Sequence, residues 1–342
     1  MSKLQSPARF WLVAVSAVAI IAFGAYLSLT NGMFDMSVAE VVKTLLRIGE
    51  SSREHDLVIF TFRLPRIVLA ILVGFALGMA GSVIQGVMRN GLADPGILGI
   101  NAGAGMAVVL FMFFFQGTIK STGWSAVMMM PMFGLIGGLL ATMLIYMFAR
   151  QQGRLDPQRF ILVGIAISSG FGAITMYVSL KMNPNDFEMA TVWLAGSIYS
   201  ANWKFVSTML PWLILIPPVL WWRARTLDLL QLGEYNATGL GVPVEREKNV
   251  LLACSIGLVS ASVAVSGSVG FVGLIAPHIA RRLVGLKHRS IVPVSGLIGA
   301  AMVVVGDFIG KTVFAPAELA VGIVISVIGV PYFVYLLIRS RS

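Results

Sequence analysis

Long apolar stretches separated by short charged or turn-rich breaks dominate the chain. A membrane crossing takes roughly 20 apolar residues. On that measure crossings fall at 10–30, 65–88, 97–116, 124–149, 160–180, 205–222, 250–266, 269–286, 291–306 and 318–338. The pattern predicts an all-α membrane protein, a ten-span helical bundle forming a single transmembrane domain over 1–342. The stretch 250–286 is ambiguous, because Gly267, Gly270, Gly273 and Pro277 interrupt it. It reads either as two crossings or as one broken segment buried in the bundle. The first stretch, Phe10 to Leu29, is too long for the core of a cleaved signal peptide and is expected to be a permanent span.

Two segments between spans also show order. Ser37-Val38-Ala39-Glu40 is a capping-box pattern, followed by Val41, Val42, Leu45, Leu46 and Ile48 at helical spacing and a stop at Gly49. It predicts a short amphipathic helix lying on the outer surface of the membrane. The segment 226–241, TLDLLQLGEYNATGLG, has helix-compatible residues broken by glycines. It reads as two short helices against the membrane face or as a plain connecting loop. Gly74/Gly78, Gly99/Gly103 and Gly306/Gly310 have the small-xxx-small spacing that lets helix backbones approach closely in lipid.

Composition narrows the class. At 57% apolar and 12% charged, the 342 residues leave no room for a sizeable water-soluble domain. The net charge of +10 would point to nucleic acid in a soluble protein, but the basic residues lie in short segments between spans and form no patch. With ten spans and both termini inside, the whole +10 excess falls on the inner segments and the outer ones sum to zero. This is the positive-inside pattern and predicts cytoplasmic termini. The single cysteine, Cys254, excludes an internal disulfide framework and a multi-thiolate metal site.

The chain is poor in catalytic and energy-coupling groups. Polar residues within the spans are mostly neutral: Gln85, Asn101, Ser168, Ser169, Thr175, Ser260 and Ser262. Asp307 and Lys311 sit at the outer end of a span, so no proton relay is evident. Gly306-Asp307-Phe308-Ile309-Gly310-Lys311-Thr312 imitates a phosphate-binding loop but has three residues between its glycines where that motif needs four. His55, His278 and His288 are scattered and lack metal-ligand spacing. No cofactor site is expected. Three classes stand: a transport subunit driven by a partner, an ion-gradient-driven secondary transporter or channel, and a membrane enzyme.

Several ordered motifs discriminate among them. Arg63-Leu64-Pro65-Arg66, Gly78-Met79-Ala80-Gly81, Gln85 and the run Arg89 to Gly99 (RNGLADPGILG) are followed by Leu232-Gly233-Glu234 before Leu240-Gly241. Gly270 to Arg281 (GFVGLIAPHIAR), His288-Arg289 and Glu318 to Ile323 (ELAVGI) complete the set. Together they resemble the permease family of ABC importers for iron chelates, haem and cobalamin, the FecCD type, along nearly the full chain.

The resemblance implies a bundle of the cobalamin-importer permease type in the bacterial cytoplasmic membrane, paired with a second permease copy or a paralogue around a path at their interface. It implies ATP-binding cassette ATPase subunits, holding ATP and magnesium, on the inner side and an extracytoplasmic substrate-binding protein on the outer. Beyond membrane lipid no other partner is implied, and nucleic acid is not one. Transferred by position, Arg63, Arg66 and Lys311 would meet acidic residues of the binding protein, which suits arginine because its guanidinium forms bidentate carboxylate pairs. Lys311 stands where the family often has arginine. Leu232, Gly233 and Glu234, within the coupling segment 226–241, would contact the ATPase. Gates would fall at Asn90 and Leu92 and at Asp156 and Gln158; Gly91 and Ser268 stand where proline is usual. The expected cargo is a ferric siderophore or similar chelate.

Overall fold

The computed structural model describes residues 6–339 except 33, 35, 49–51, 97–98, 116–123 and 152–153; the expected stop at Gly49 and the motif residues Ile97 and Leu98 lie outside the described residues. The chain is helical almost throughout. Helix α1 spans Pro7–Thr30, α2 Val38–Leu46 and α3 Arg53–Asp56, which runs through a π-helical stretch, Leu57–Arg63, into α4, Leu64–Met88. Then come α5 (Ile100–Phe115), α6 (Trp124–Ala149), α7 (Pro157–Ser179), α8 (Pro184–Leu194) and α9 (Trp203–Trp222). The remainder is α10 (Ala224–Leu230), α11 (Glu234–Gly239), α12 (Val244–Ser266), α13 (Val272–Val284), α14 (His288–Thr312) and α15 (Val321–Arg339). A two-residue antiparallel pairing, Arg150–Gln151 with Arg154–Leu155, closes the turn between α6 and α7.

Among the described residues seven helices are long and apolar enough to cross a membrane, and α5 and α15 are shorter apolar helices. The ambiguous stretch 250–286 resolves into a full-length α12 and a short α13. With 13 residues, α13 is about 20 Å long, against a hydrocarbon core of about 30 Å. The break has a backbone cause. Gly267 has φ +65°, and a Cβ there would overlap the Trp193 carbonyl, so only glycine fits. Phe271 is also left-handed, and α13 starts one residue later.

The centre of the bundle is α4, buried along nearly its whole length and flanked by α14, α12 and α13. Helices α4 and α14 meet backbone to backbone: a Cβ at Gly74 would strike the Gly299 carbonyl, and one at Gly78 the Ser295 carbonyl. The same logic joins α5 to α6, where Gly103 and Gly137 face each other. Small residues at these crossings substitute close dispersion contact for the hydrophobic drive that lipid does not supply. Helix α7, by contrast, leaves Leu162, Ile165, Ile174, Met176 and Tyr177 exposed.

Helix α2 has the reciprocal cap its sequence predicts: Ser37 Oγ accepts from the Glu40 N–H at 3.3 Å, and Glu40 Oε2 accepts from the Ser37 N–H at 2.8 Å. It ends at Arg47, which is left-handed with φ 53°. Helix α8 is a structural addition: the sequence reading leaves 181–204 between spans without an element. Asn183 caps it, accepting from the Asp186 N–H at 2.9 Å, with Pro184 at its first turn. That Asn-Pro pair is a helix-start signal the apolar-span reading passes over.

Candidate functional site: the two ends of the bundle

At the end that the charge pattern assigns to the outside, Arg63, Arg66 and Lys311 come together, but each is held by internal acceptors. The Arg63 guanidinium is buried and donates to the Leu29 and Phe34 carbonyls. Arg66 Nε and Nη2 donate to both oxygens of Asp307 at 2.8–3.0 Å, and Nη1 donates to Glu318 Oε2 at 2.8 Å. The Arg66 and Asp307 side chains are only 13% and 5% exposed. Lys311 Nζ donates to the Ser28 carbonyl at 3.0 Å and to Ser28 Oγ at 3.1 Å. Gly32 lies against both Arg63 and Lys311. The geometry therefore makes these cations an internal clamp: Arg66 ties α4 to α14 and to the segment before α15, while Arg63 and Lys311 anchor the end of α1.

The sequence reading places Asp307 at a span end and does not pair it with Arg66. The two are far apart in the chain, and the signal available was two carboxylates at span ends where desolvation demands a partner. A cavity of about 400 Å³ opens beside this clamp, lined by Arg66, Tyr199, Asp307, Glu318 and the end of α8.

At the other end, 226–241 holds the two short helices α10 and α11. Leu227 and Leu230 are buried, and two polar bonds fix α10 to the bundle centre. Gln231 Nε2 donates to the Gly86 carbonyl of α4 at 2.9 Å. Asp228 Oδ1 accepts from the His288 N–H at 2.9 Å and lies 2.7 Å from His288 Nδ1, at the start of α14. Glu234 pairs with Lys248 of α12, and Gly233 is left-handed at φ 100°. The opposite side of the segment carries apolar groups without cover: Leu232, Leu240 and Tyr235, the last 96% exposed. Next to them, Glu234, Tyr235, Thr238, Val242, Pro243 and Arg246 line a cavity of about 680 Å³.

The expected gate residues each serve a local turn. Asn90 Oδ1 accepts from the Leu92 N–H at 2.9 Å. Asp156 caps α7, accepting from the N–H groups of Gln158 at 2.8 Å and Arg159 at 3.1 Å. Gln85 bridges helices: its Nε2 donates to the Gly273 and Leu274 carbonyls at 3.3 Å, and its Oε1 accepts from Arg281 at 2.5 Å. Among the described residues no three His, Cys, Asp or Glu side chains converge as metal ligands.

The arrangement is thus a bundle with a charged clamp at one end and an apolar, cleft-bearing platform at the other. Residues 20–339 match the profile of the FecCD transport family. The chain belongs to that family. Among its FecCD relatives, it is 51% identical to the iron-uptake system permease protein FeuC of Bacillus subtilis (strain 168), over 95% of this chain and 96% of that one. It is 42% identical to the iron(3+)-hydroxamate import system permease protein FhuG of the same organism, over 99% of each. A solved metal-chelate-type ABC transporter in an inward-facing conformation superposes with a TM-score of 0.81 at 28% identity, covering 96% of this chain and 99% of that one.

Proposed function

We propose that this chain is the membrane-spanning subunit of an ABC importer that passes a ferric siderophore or similar iron chelate inward, with ATP hydrolysis on separate ATPase subunits. The observation that supports it is the platform at α10 and α11. Exposed Leu232, Tyr235 and Leu240 form a surface fit for a protein partner, while buried Leu227 and Leu230 and the bonds from Gln231 and Asp228 tie that surface to α4 and α14. A push on the platform is therefore delivered to the two central helices as rigid-body motion.

On this reading the ATPase sits against Leu232, Gly233 and Glu234, both termini are cytoplasmic, and the exposed face of α7 lines a path shared with a second permease copy or paralogue. Asn90, Leu92, Asp156 and Gln158 belong to turns at the inner mouth. A binding protein docks at the clamp end, where its carboxylates would compete with Asp307 and Glu318 for Arg66. Cargo identity is supported by the names of the relatives, FeuC being a permease protein of an iron-uptake system and FhuG of an iron(3+)-hydroxamate import system.

The test is reconstitution of the chain with its ATPase and binding protein in proteoliposomes. ATP-dependent accumulation of a ferric siderophore is expected, with Tyr235→Ala and Leu232→Ala weakening ATPase association by about tenfold or more, as for an aromatic anchor at an interface centre. Transport driven by an ion gradient without ATP would replace this reading with a secondary transporter.

A further inference from the structure

Where α9 ends and α14 begins, Trp221, Trp222, Arg225 and Arg289 line a cavity of about 220 Å³. The Arg289 guanidinium lies over the Trp221 ring, 4.8 Å from its centroid. Trp222 is 85% exposed. Both arginines are exposed, and among the described residues neither has a carboxylate partner, whereas the neighbouring Arg223 is paired with Glu247 at 2.5 Å. The cavity therefore presents two uncompensated guanidinium groups beside two indoles. It sits at the end of a membrane-length helix and beside α10, which marks the membrane–water boundary.

We infer that Trp221, Trp222, Arg225 and Arg289 form a binding site for the phosphate headgroup of an anionic phospholipid. Indole rings favour the headgroup level of a bilayer, where an apolar body meets a polar edge. Guanidinium groups bind phosphate oxygens through paired N–H donors. A basic pocket at the cytoplasmic ends of spans is the setting in which anionic headgroups are recognised. Stacking on Trp221 orients Arg289 and leaves the edge of its guanidinium available to an acceptor. The acyl chains would lie along α9, whose Ile214 and Leu215 are exposed.

The experiment is native mass spectrometry of the full-length chain titrated with dioleoyl phosphatidylglycerol or dioleoyl phosphatidylcholine, with circular dichroism to confirm that each variant is folded. The wild type should prefer phosphatidylglycerol. Arg225→Gln with Arg289→Gln should lower that preference about thirtyfold, the equivalent of about 1 kcal/mol per arginine lost. Trp221→Leu should lower it in part, and Arg159→Gln, at the exposed start of α7, should not. An unchanged preference in the double variant overturns the site. So does an equal loss in Arg159→Gln, which would mean diffuse attraction, or competition by sn-glycerol 3-phosphate at the same concentrations, which would mean a soluble phosphate ligand. Loss of ATPase co-purification with lipid preference intact would reassign the arginines to a protein contact.

Discussion

Asp228→Ala is the most direct probe of how motion crosses this subunit. The substitution removes the oxygen that faces both the backbone N–H and Nδ1 of His288, at 2.9 and 2.7 Å. The first of these bonds caps α14, because Lys287 at the N-cap supplies no side-chain acceptor. Loss of a helix cap costs about 1 kcal/mol, and a hydrogen bond to a charged group contributes about 1.5–3 kcal/mol. The Asp228 side chain is 37% exposed, so water replaces part of what is lost and the total comes to about 2 kcal/mol. That corresponds to about a thirtyfold shift away from the docked α10. Gln231 still holds α10 to α4, Leu227 and Leu230 remain buried and Glu234 still pairs with Lys248, so the segment should loosen from α14 without detaching. In proteoliposomes with ATPase and binding protein, ATP hydrolysis should stay within about twofold of wild type while cargo moved per ATP falls about tenfold. Asp228→Asn keeps an acceptor oxygen of equal capping quality and should lie between the two. If cargo per ATP is unchanged in Asp228→Ala while the protein melts at a lower temperature, the contact is a stability feature and the coupling argument fails.

Three further outcomes follow from the described contacts. Gly74→Val places side-chain atoms against the Gly299 carbonyl and should destabilise the α4–α14 pair by about 3 kcal/mol, read as earlier thermal aggregation in detergent, whereas Gly170→Ala, facing open space, should be silent. Asp307→Ala strands a largely desolvated Arg66 with Glu318 alone and should cost about 3 kcal/mol, while Arg66→Met with Asp307→Leu should fall close to wild type; equal losses in both would show that the pair is not coupled. The Ser37 hydrogen bonds hold the Glu40 carboxyl below its usual range. The cap's contribution is therefore complete above the ordinary carboxylate value and disappears as pH falls through the lowered one, so protection from hydrogen exchange at the start of α2 should fall as pH drops below the ordinary carboxylate value, and Glu40→Gln should flatten that response.

The bundle was legible because lipid imposes one rule on every span: backbone groups must be satisfied within the segment, so apolar length alone locates helices. Ser37 to Glu40 likewise announces α2 through capping chemistry local in sequence, whereas the same kind of signal at Asn183-Pro184 falls outside a reading by apolar length, so α8 went unread. The break at 266–272 was visible as glycines, but its outcome depended on how closely Gly267 approaches Trp193, a contact between distant segments. The clamp was half legible. Arg63, Arg66 and Lys311 stand out as charges, yet their acceptors are the backbone of Leu29, Phe34 and Ser28 and the side chains of Asp307 and Glu318. Neither periodicity nor local spacing relates residues so far apart. Asp228 and His288 were hidden for the same reason.

The backbone contact between Gly74 and Gly299 also bears on how the protein is made. Helix α4 leaves the ribosome long before α14, its main partner, exists. At about 5–20 residues per second, the wait is on the order of ten seconds or more. During that interval the glycine seam faces lipid or an assisting protein, and α4 must be apolar enough all round to reside there alone. Biogenesis therefore selects for a helix greasier than its final buried position requires, and truncated chains lacking α14 should be degraded as unfinished intermediates.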